Sequence, residues 1–219
     1  MSDPVIIVHG LWMTGLELGV LQHRLRVDHG FEPSIFSYPS ITGSMDEHVA
    51  SLYAYVKSQN AARLHFVGHS LGGIVILKML ETHDDIPPGR VVCLASPMQG
   101  SCAVDGFARW PFARAALGAA ICEEVLSSKQ RYWDGRRDVG IIAGSLSIGL
   151  GRLFADFHEA SDGTLLVSET KLDGAKEHIV MPVSHTGIVF SAEATEQIAR
   201  FLRNGSFMVD SKSSSRPAS

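Results

Sequence analysis

Leu64-His65-Phe66-Val67-Gly68-His69-Ser70-Leu71-Gly72-Gly73-Ile74-Val75 joins two apolar runs through a serine set between glycines. The first run, Arg63 to Val67, has the length and bulk of a buried strand. The second, Leu71 to Thr82, is apolar nearly all round, which marks a buried helix. A strand that turns into a helix this tightly leaves no room for a Cβ two residues before or after the serine, and Gly68 and Gly72 meet that need. Such a turn holds the serine oxygen out at the carboxyl edge of a sheet. The helix N-terminus behind it supplies free N–H groups and a partial positive charge. Ser70 is therefore a candidate nucleophile. His69, though adjacent, reads as structural, because a base must approach the serine from another segment.

The flanking sequence repeats the strand-then-helix rhythm. Val5-Ile6-Ile7-Val8 is a short β-branched run that stops at His9-Gly10, and Leu16 to Val27 follows at helical spacing. Ser34 to Tyr38 reads as a second strand, halted by Pro39. Ser44 with Glu47 three residues on is a capping-box signature for a helix reaching Gln59. Arg90 to Leu94 and Val139 to Ala143 read as strands, and a sixth is expected within His178 to Met181. A helix from about Ala192 to Leu202 closes the series. Alternation of this kind predicts an α/β fold, a mostly parallel central sheet with helices on both faces. One stretch breaks it. Residues 99–138 place about 40 residues between two strands, rich in Ala and carrying Trp110, Phe112 and Trp133. They read as one or two short helices outside the sheet, a small cap over a site.

The 219 residues suit one domain, expected over 1–209 with the cap-like insertion inside it. The tail, 210–219, holds five serines and no aromatic residue and is expected to be disordered. With 45% hydrophobic and 19% charged residues the chain can bury a sizeable core. A net charge of −4, spread evenly, leaves no footprint for nucleic acid or an anionic membrane. There is no signal-like N-terminus and no run near the roughly 18 apolar residues of a span, so no integral membrane association is expected. Cys93, Cys102 and Cys122 lack metal or redox spacing. Their odd number favours reduced thiols and a cytoplasmic location over a Cys102–Cys122 bridge.

If Ser70 is a nucleophile, it needs amide donors for an oxyanion, a base and an acid. One donor comes from the residue after the serine, Leu71. The other comes from the loop after an early strand, which nominates Leu11 in His9-Gly10-Leu11-Trp12. Gly10 would let the backbone approach a substrate carbonyl, and Trp12 and Met13 would form the pocket wall. Of ten histidines, four follow the serine. His83 lies about three turns along the helix from Ser70, out of reach. His178 starts a strand, at the wrong edge of the sheet. His185, in Pro182-Val183-Ser184-His185-Thr186-Gly187, sits past the last strand at the carboxyl edge and is the expected base. Asp156, Glu159, Asp162, Glu169 and Asp173 precede it. Asp162, in the Ser161-Asp162-Gly163-Thr164 turn, is the first choice for the orienting acid and Asp156 the second.

Taken in order, His9-Gly10-Leu11-Trp12, Gly68-His69-Ser70-Leu71-Gly72-Gly73, Ser161-Asp162-Gly163-Thr164 and Ser184-His185-Thr186-Gly187 resemble the lipase and esterase branch of the α/β-hydrolase superfamily. The chain is similar to small bacterial lipases and lipase-like inositol deacylases over roughly residues 4–204. The resemblance implies hydrolysis of a small-molecule acyl ester with no metal or organic cofactor. It implies Ser70 as nucleophile, Asp162 as acid, His185 as base, and Leu11 and Leu71 as oxyanion donors. The same residues could serve a thioester, an amide, a lactone or acyl transfer, and a fold of this kind can also persist as a binding protein. Neither the acyl group nor the oligomeric state follows from the sequence.

Overall fold

The structure, a computed structural model, describes residues 3–126, 130–155 and 157–208. The expected tail and Asp156 lie outside the described residues. Six strands form one sheet in the order β2-β1-β3-β4-β5-β6: β1 Pro4–Val8, β2 Glu32–Phe36, β3 His65–His69, β4 Val91–Leu94, β5 Val139–Gly144 and β6 Glu177–Met181. Every pairing is parallel, with Val5 opposite His65 and Gly68 opposite Cys93. A parallel sheet needs both faces covered, and the side chains alternate accordingly. Ile6, Val8, Phe66 and Ile141 pack on α2 (Met45–Ser58) and α3 (Leu71–Thr82). Val5, Ile7, Val67 and Ile142 pack on α1 (Gly19–Val27) and α6 (Ala192–Asn204).

The local reasons are visible in the sequence. Ser44 Oγ accepts from the Glu47 amide at 3.3 Å and Glu47 reaches back to the Ser44 amide at 2.8 Å, the reciprocal cap that starts α2. Residues 71–77, with Met79 and Leu80, are buried along α3. Two boundaries shift. The second strand runs from Glu32 to Phe36, not 34–38, and contains Pro33. A proline lacks a ladder donor, and β2 tolerates it because it is an edge strand paired only with β1. The third strand extends to His69, so the turn is confined to Ser70 itself.

The insertion carries α4 (Cys102–Phe107) and α5 (Ala113–Glu124), and α5 breaks at Gly118, where φ is 77° and ψ 167°. Its aromatic residues divide. Trp110 and Phe112 are exposed, but Trp133 is buried and its Nε1–H donates to the Arg137 carbonyl at 2.9 Å. The end of the insertion is thus part of the core. All three cysteines are unpaired. Among the described residues no helix is long and apolar enough to cross a membrane.

Candidate active site

The order β2-β1-β3 reverses the direction of winding between β1 and β3. In open parallel sheets this is where a crevice opens at the carboxyl ends. Gly10 follows β1 there and Ser70 follows β3. Ser70 has φ 53° and ψ −122°, a left-handed conformation that a non-glycine residue adopts at a cost of about 1–3 kcal/mol. Three glycines make the turn possible. A Cβ on Gly68 would lie 2.5 Å from Gly73 Cα, and one on Gly72 would lie 2.3 Å from the Val8 carbonyl. One on Gly10 would meet Ser70 Cβ at 2.9 Å. Gly10 therefore makes room for the serine itself. Leu71 opens α3, so its amide has no acceptor within the helix.

His185 is held at three points. Its amide donates to the Asp162 carbonyl at 2.9 Å, and its Nδ1–H to Asp162 Oδ2 at 2.8 Å. Its own carbonyl accepts from His69 Nε2 at 2.9 Å. The second bond leaves His185 Nε2 as the ring's free acceptor. Asp162 is buried, and its other oxygen accepts the Thr164 and Leu165 amides at 2.8 and 2.7 Å. Burial alone would raise this carboxyl. The His185 charge and hydrogen bond, with the two amides, outweigh it and hold Asp162 below the usual carboxylate range. The turn that presents it needs Gly163, at φ 91°, where a Cβ would lie 2.3 Å from the Ile148 backbone.

His69 is neutral for a physical reason. It is fully enclosed, and burial, assisted by the nearby His185, pushes it down to about 3. A carbonyl can only accept, so the His69 proton sits on Nε2, and Nδ1 faces Met13 Sδ at 3.2 Å. The sequence reading made His69 structural; its actual work is to grip the loop of the candidate base. His9 plays a matching part on the other side. Its Nε2 accepts the Tyr38 amide at 3.2 Å and its Nδ1 donates to the Gly10 carbonyl at 2.9 Å. Burial lowers its pKa as well, against smaller opposing contributions from those bonds and Glu17. Nothing in the spacing of His9 and Tyr38 announced this pairing.

Ser70 and His185 border one cavity of about 530 Å³. Leu11, Trp12 and Met13 line it from the loop after β1, and Val104, Phe107, Leu117 and Ile121 line it from the insertion. The walls are mostly hydrocarbon. Trp12 joins the two sides. With φ 59°, it donates its indole N–H to the Ala116 carbonyl at 2.8 Å and packs edge-on against Phe107. Ala116 lies just before the Gly118 break, where the helix cannot supply its carbonyl with a donor. A second carboxylate ties the insertion to the Asp162 loop. Glu169 accepts the Cys102 amide at 2.5 Å and the Leu166 amide at 2.8 Å. Among the described residues no group of three or more His, Cys, Asp and Glu is placed to hold a metal ion.

Solved structures with this architecture include enzymes. A Bacillus licheniformis lipase, BlEst2 in propeptide form, superposes with a TM-score of 0.73 at 18% identity, covering 95% of this chain and 51% of its own. The Legionella pneumophila phospholipase PlaB, in complex with thio-NAD, gives 0.66 at 17% identity, covering 93% and 62%. A metagenomic carboxyl esterase, MGS0156, gives 0.62 at 18% identity, covering 84% and 64%. The chain thus spans about half the length of the lipase and under two thirds of the other two. At these identities the likeness is one of fold. No curated protein matches the chain in sequence. A model of the alpha/beta hydrolase family matches residues 5–199, from the first strand into the last helix, and the chain belongs to that family.

Proposed function

We propose that this protein is a serine hydrolase that cleaves a small-molecule carboxylic ester through an acyl-enzyme on Ser70. The observation that carries the reading is that His185, hydrogen-bonded to the buried Asp162, borders the same hydrocarbon-walled cavity as Ser70. His185 Nε2 takes the Ser70 proton as Oγ attacks the ester carbonyl. The Leu11 and Leu71 amides receive the oxyanion, each worth roughly 3 kcal/mol. Asp162 keeps the proton on Nδ1 and stabilises the imidazolium. His185 then protonates the departing alcohol, and water, activated by the same base, releases the acid. No cofactor takes part. Trp12 and Met13 form the acyl wall, and α4 and α5 of the insertion act as the cap of one domain spanning 1–209.

The test is turnover of p-nitrophenyl acetate and butyrate by wild type and Ser70→Ala. The variant loses activity by at least about 10⁴-fold, and a fluorophosphonate labels Ser70 in the wild type alone. Equal turnover in the two proteins overturns the reading.

A further inference from the structure

At the opposite edge of the sheet, below the amino ends of β3, β4 and β5, lies a second cavity of about 540 Å³. Its wall holds four guanidinium groups, Arg63, Arg90, Arg136 and Arg137, against two carboxylates, Asp84 and Asp138. Both carboxylates are already matched. Asp138 pairs with Arg90 at 3.1 Å and with Lys176 at 2.9 Å, and Asp84 pairs with Arg136 at 3.0 Å. Arg136 is further neutralised by Asp134. That leaves Arg63 and Arg137 with no carboxylate within 4.0 Å among the described residues.

Arg137 is the informative one. Its Nη2 donates to the Ile86 carbonyl at 2.8 Å, its guanidinium lies 6.0 Å from the Phe66 ring, and its Nη1 is buried with no partner. Burial lowers its pKa. A buried charge normally carries a counter-charge, and an orphaned buried donor marks a missing acceptor. His65, in the same wall, differs. Its Nδ1 accepts the Arg90 amide at 3.0 Å, so the proton is on Nε2, and that atom too is buried without a hydrogen bond. Asp3 Oδ2 lies 3.6 Å from it, an ion-pair distance, so His65 already faces a carboxylate.

We propose that this cavity binds a phosphate monoester, held by the Arg63 and Arg137 guanidiniums. Arg137 is partly buried with no carboxylate partner and Arg63 adds a second, exposed cation, so a dianion is matched by two positive charges, and a tetrahedral oxyanion suits the planar guanidinium fork. The site owes nothing to Ser70, which lies at the other end of β3. The shared chemistry has two sources, a soluble phosphate ester or a phosphomonoester lipid headgroup.

Titration calorimetry of the full chain with glycerol phosphate, at fixed ionic strength and about pH 7.5 where the ligand is close to a dianion, tests the soluble source. Sedimentation with phosphatidylcholine vesicles, with and without phosphatidic acid, tests the lipid. Saturable binding in either arm supports the site and identifies its source. Arg63→Gln, at an exposed residue that leaves the fold intact, weakens that binding about tenfold or more. Arg137→Gln weakens it further, while Ser70→Ala binds as wild type does. Absence of saturable binding in both arms overturns the proposal, as does unchanged affinity in Arg63→Gln.

Discussion

Two cavities of nearly equal size, about 530 and 540 Å³, sit at opposite ends of the same strands and share almost no chemistry. The one at the carboxyl edge is walled by hydrocarbon around Ser70 and His185. The one at the amino edge is walled by arginines. In a parallel α/β sheet the helices that follow strands begin at the carboxyl edge and end at the amino edge. Their N-termini, with free N–H groups, gather at one end and their C-terminal carbonyls at the other. The carboxyl edge thus presents free N–H donors, the Leu71 amide at the start of α3 among them. The amino edge needs cations, and the arginines answer. Arg136 donates to the Leu80 carbonyl at the end of α3, and Arg90 to the Leu202 and Arg203 carbonyls at the end of α6. One backbone polarity set both demands, and side chains met them in opposite ways.

The sharpest way to separate the two ends is Asp162→Asn. It reverses the donor preference at His185 Nδ1, and ester turnover falls by about 10⁴-fold, measured as kcat/KM. Binding of glycerol phosphate at the amino edge stays at the wild-type value. A change at both ends would mean that the cavities are coupled through the sheet. Next in size is Gly72→Ala. Its Cβ would press on the Val8 carbonyl at 2.3 Å, so overpacking costs about 3 kcal/mol, read by denaturant melts. The equivalent change at Gly135, where a Cβ meets nothing within 4 Å, costs less, chiefly the strain of its φ of 78°.

Acid discriminates between buried and exposed rings. His69, at about 3 in the folded protein, binds fewer protons there than in the unfolded chain, where histidine titrates near about 6.5. Its contribution is complete above that value and is lost as pH falls from about 6.5 toward 3. Melting temperature should drop on acidification through this window, and His69→Gln should make the drop shallower. The smallest effect is at the seam between β1's loop and the insertion. Trp12→Phe keeps the ring but removes the bond to Ala116, at a cost of about 1 kcal/mol. The loss should appear as weaker turnover of p-nitrophenyl butyrate, with little change in melting temperature. An unaltered rate would mean that this bond does not position the cap.

Much of the carboxyl edge was readable beforehand, because its chemistry follows short spacings. Gly68, Ser70 and Gly72 state a turn whose sterics admit few alternatives. Asp162-Gly163 states another turn, and His185 is picked out by lying just past a strand end. The amino edge was not readable. Arg63, His65 and Arg137 are 74 positions apart from first to last in the sequence, and an arginine on its own says nothing about whether a carboxylate will meet it. His69 and His9 fall between these cases: their position was plain, but their hydrogen bonds reach His185 and Tyr38, 116 and 29 residues away. The strand boundary at β2 differs: the sequence suggested Ser34 to Tyr38, halted by Pro39, whereas the strand starts at Glu32 and includes Pro33, which only its edge position makes acceptable.

The sequence by itself determined the alternation of strands and helices, the elbow at Ser70 and the candidate partners Asp162 and His185, all of which rest on local sterics and hydrophobic period. Only the tertiary structure decided what surrounds them. It showed that Gly10 yields space to Ser70, that His69 grips the His185 loop, and that Trp12 ties the loop after β1 to the insertion. It also showed which charges lack partners. The physical reason is the range of the forces. Turns and periodicities are set by neighbours along the chain, whereas burial, ion pairing and orphaned donors depend on residues brought together by the sheet.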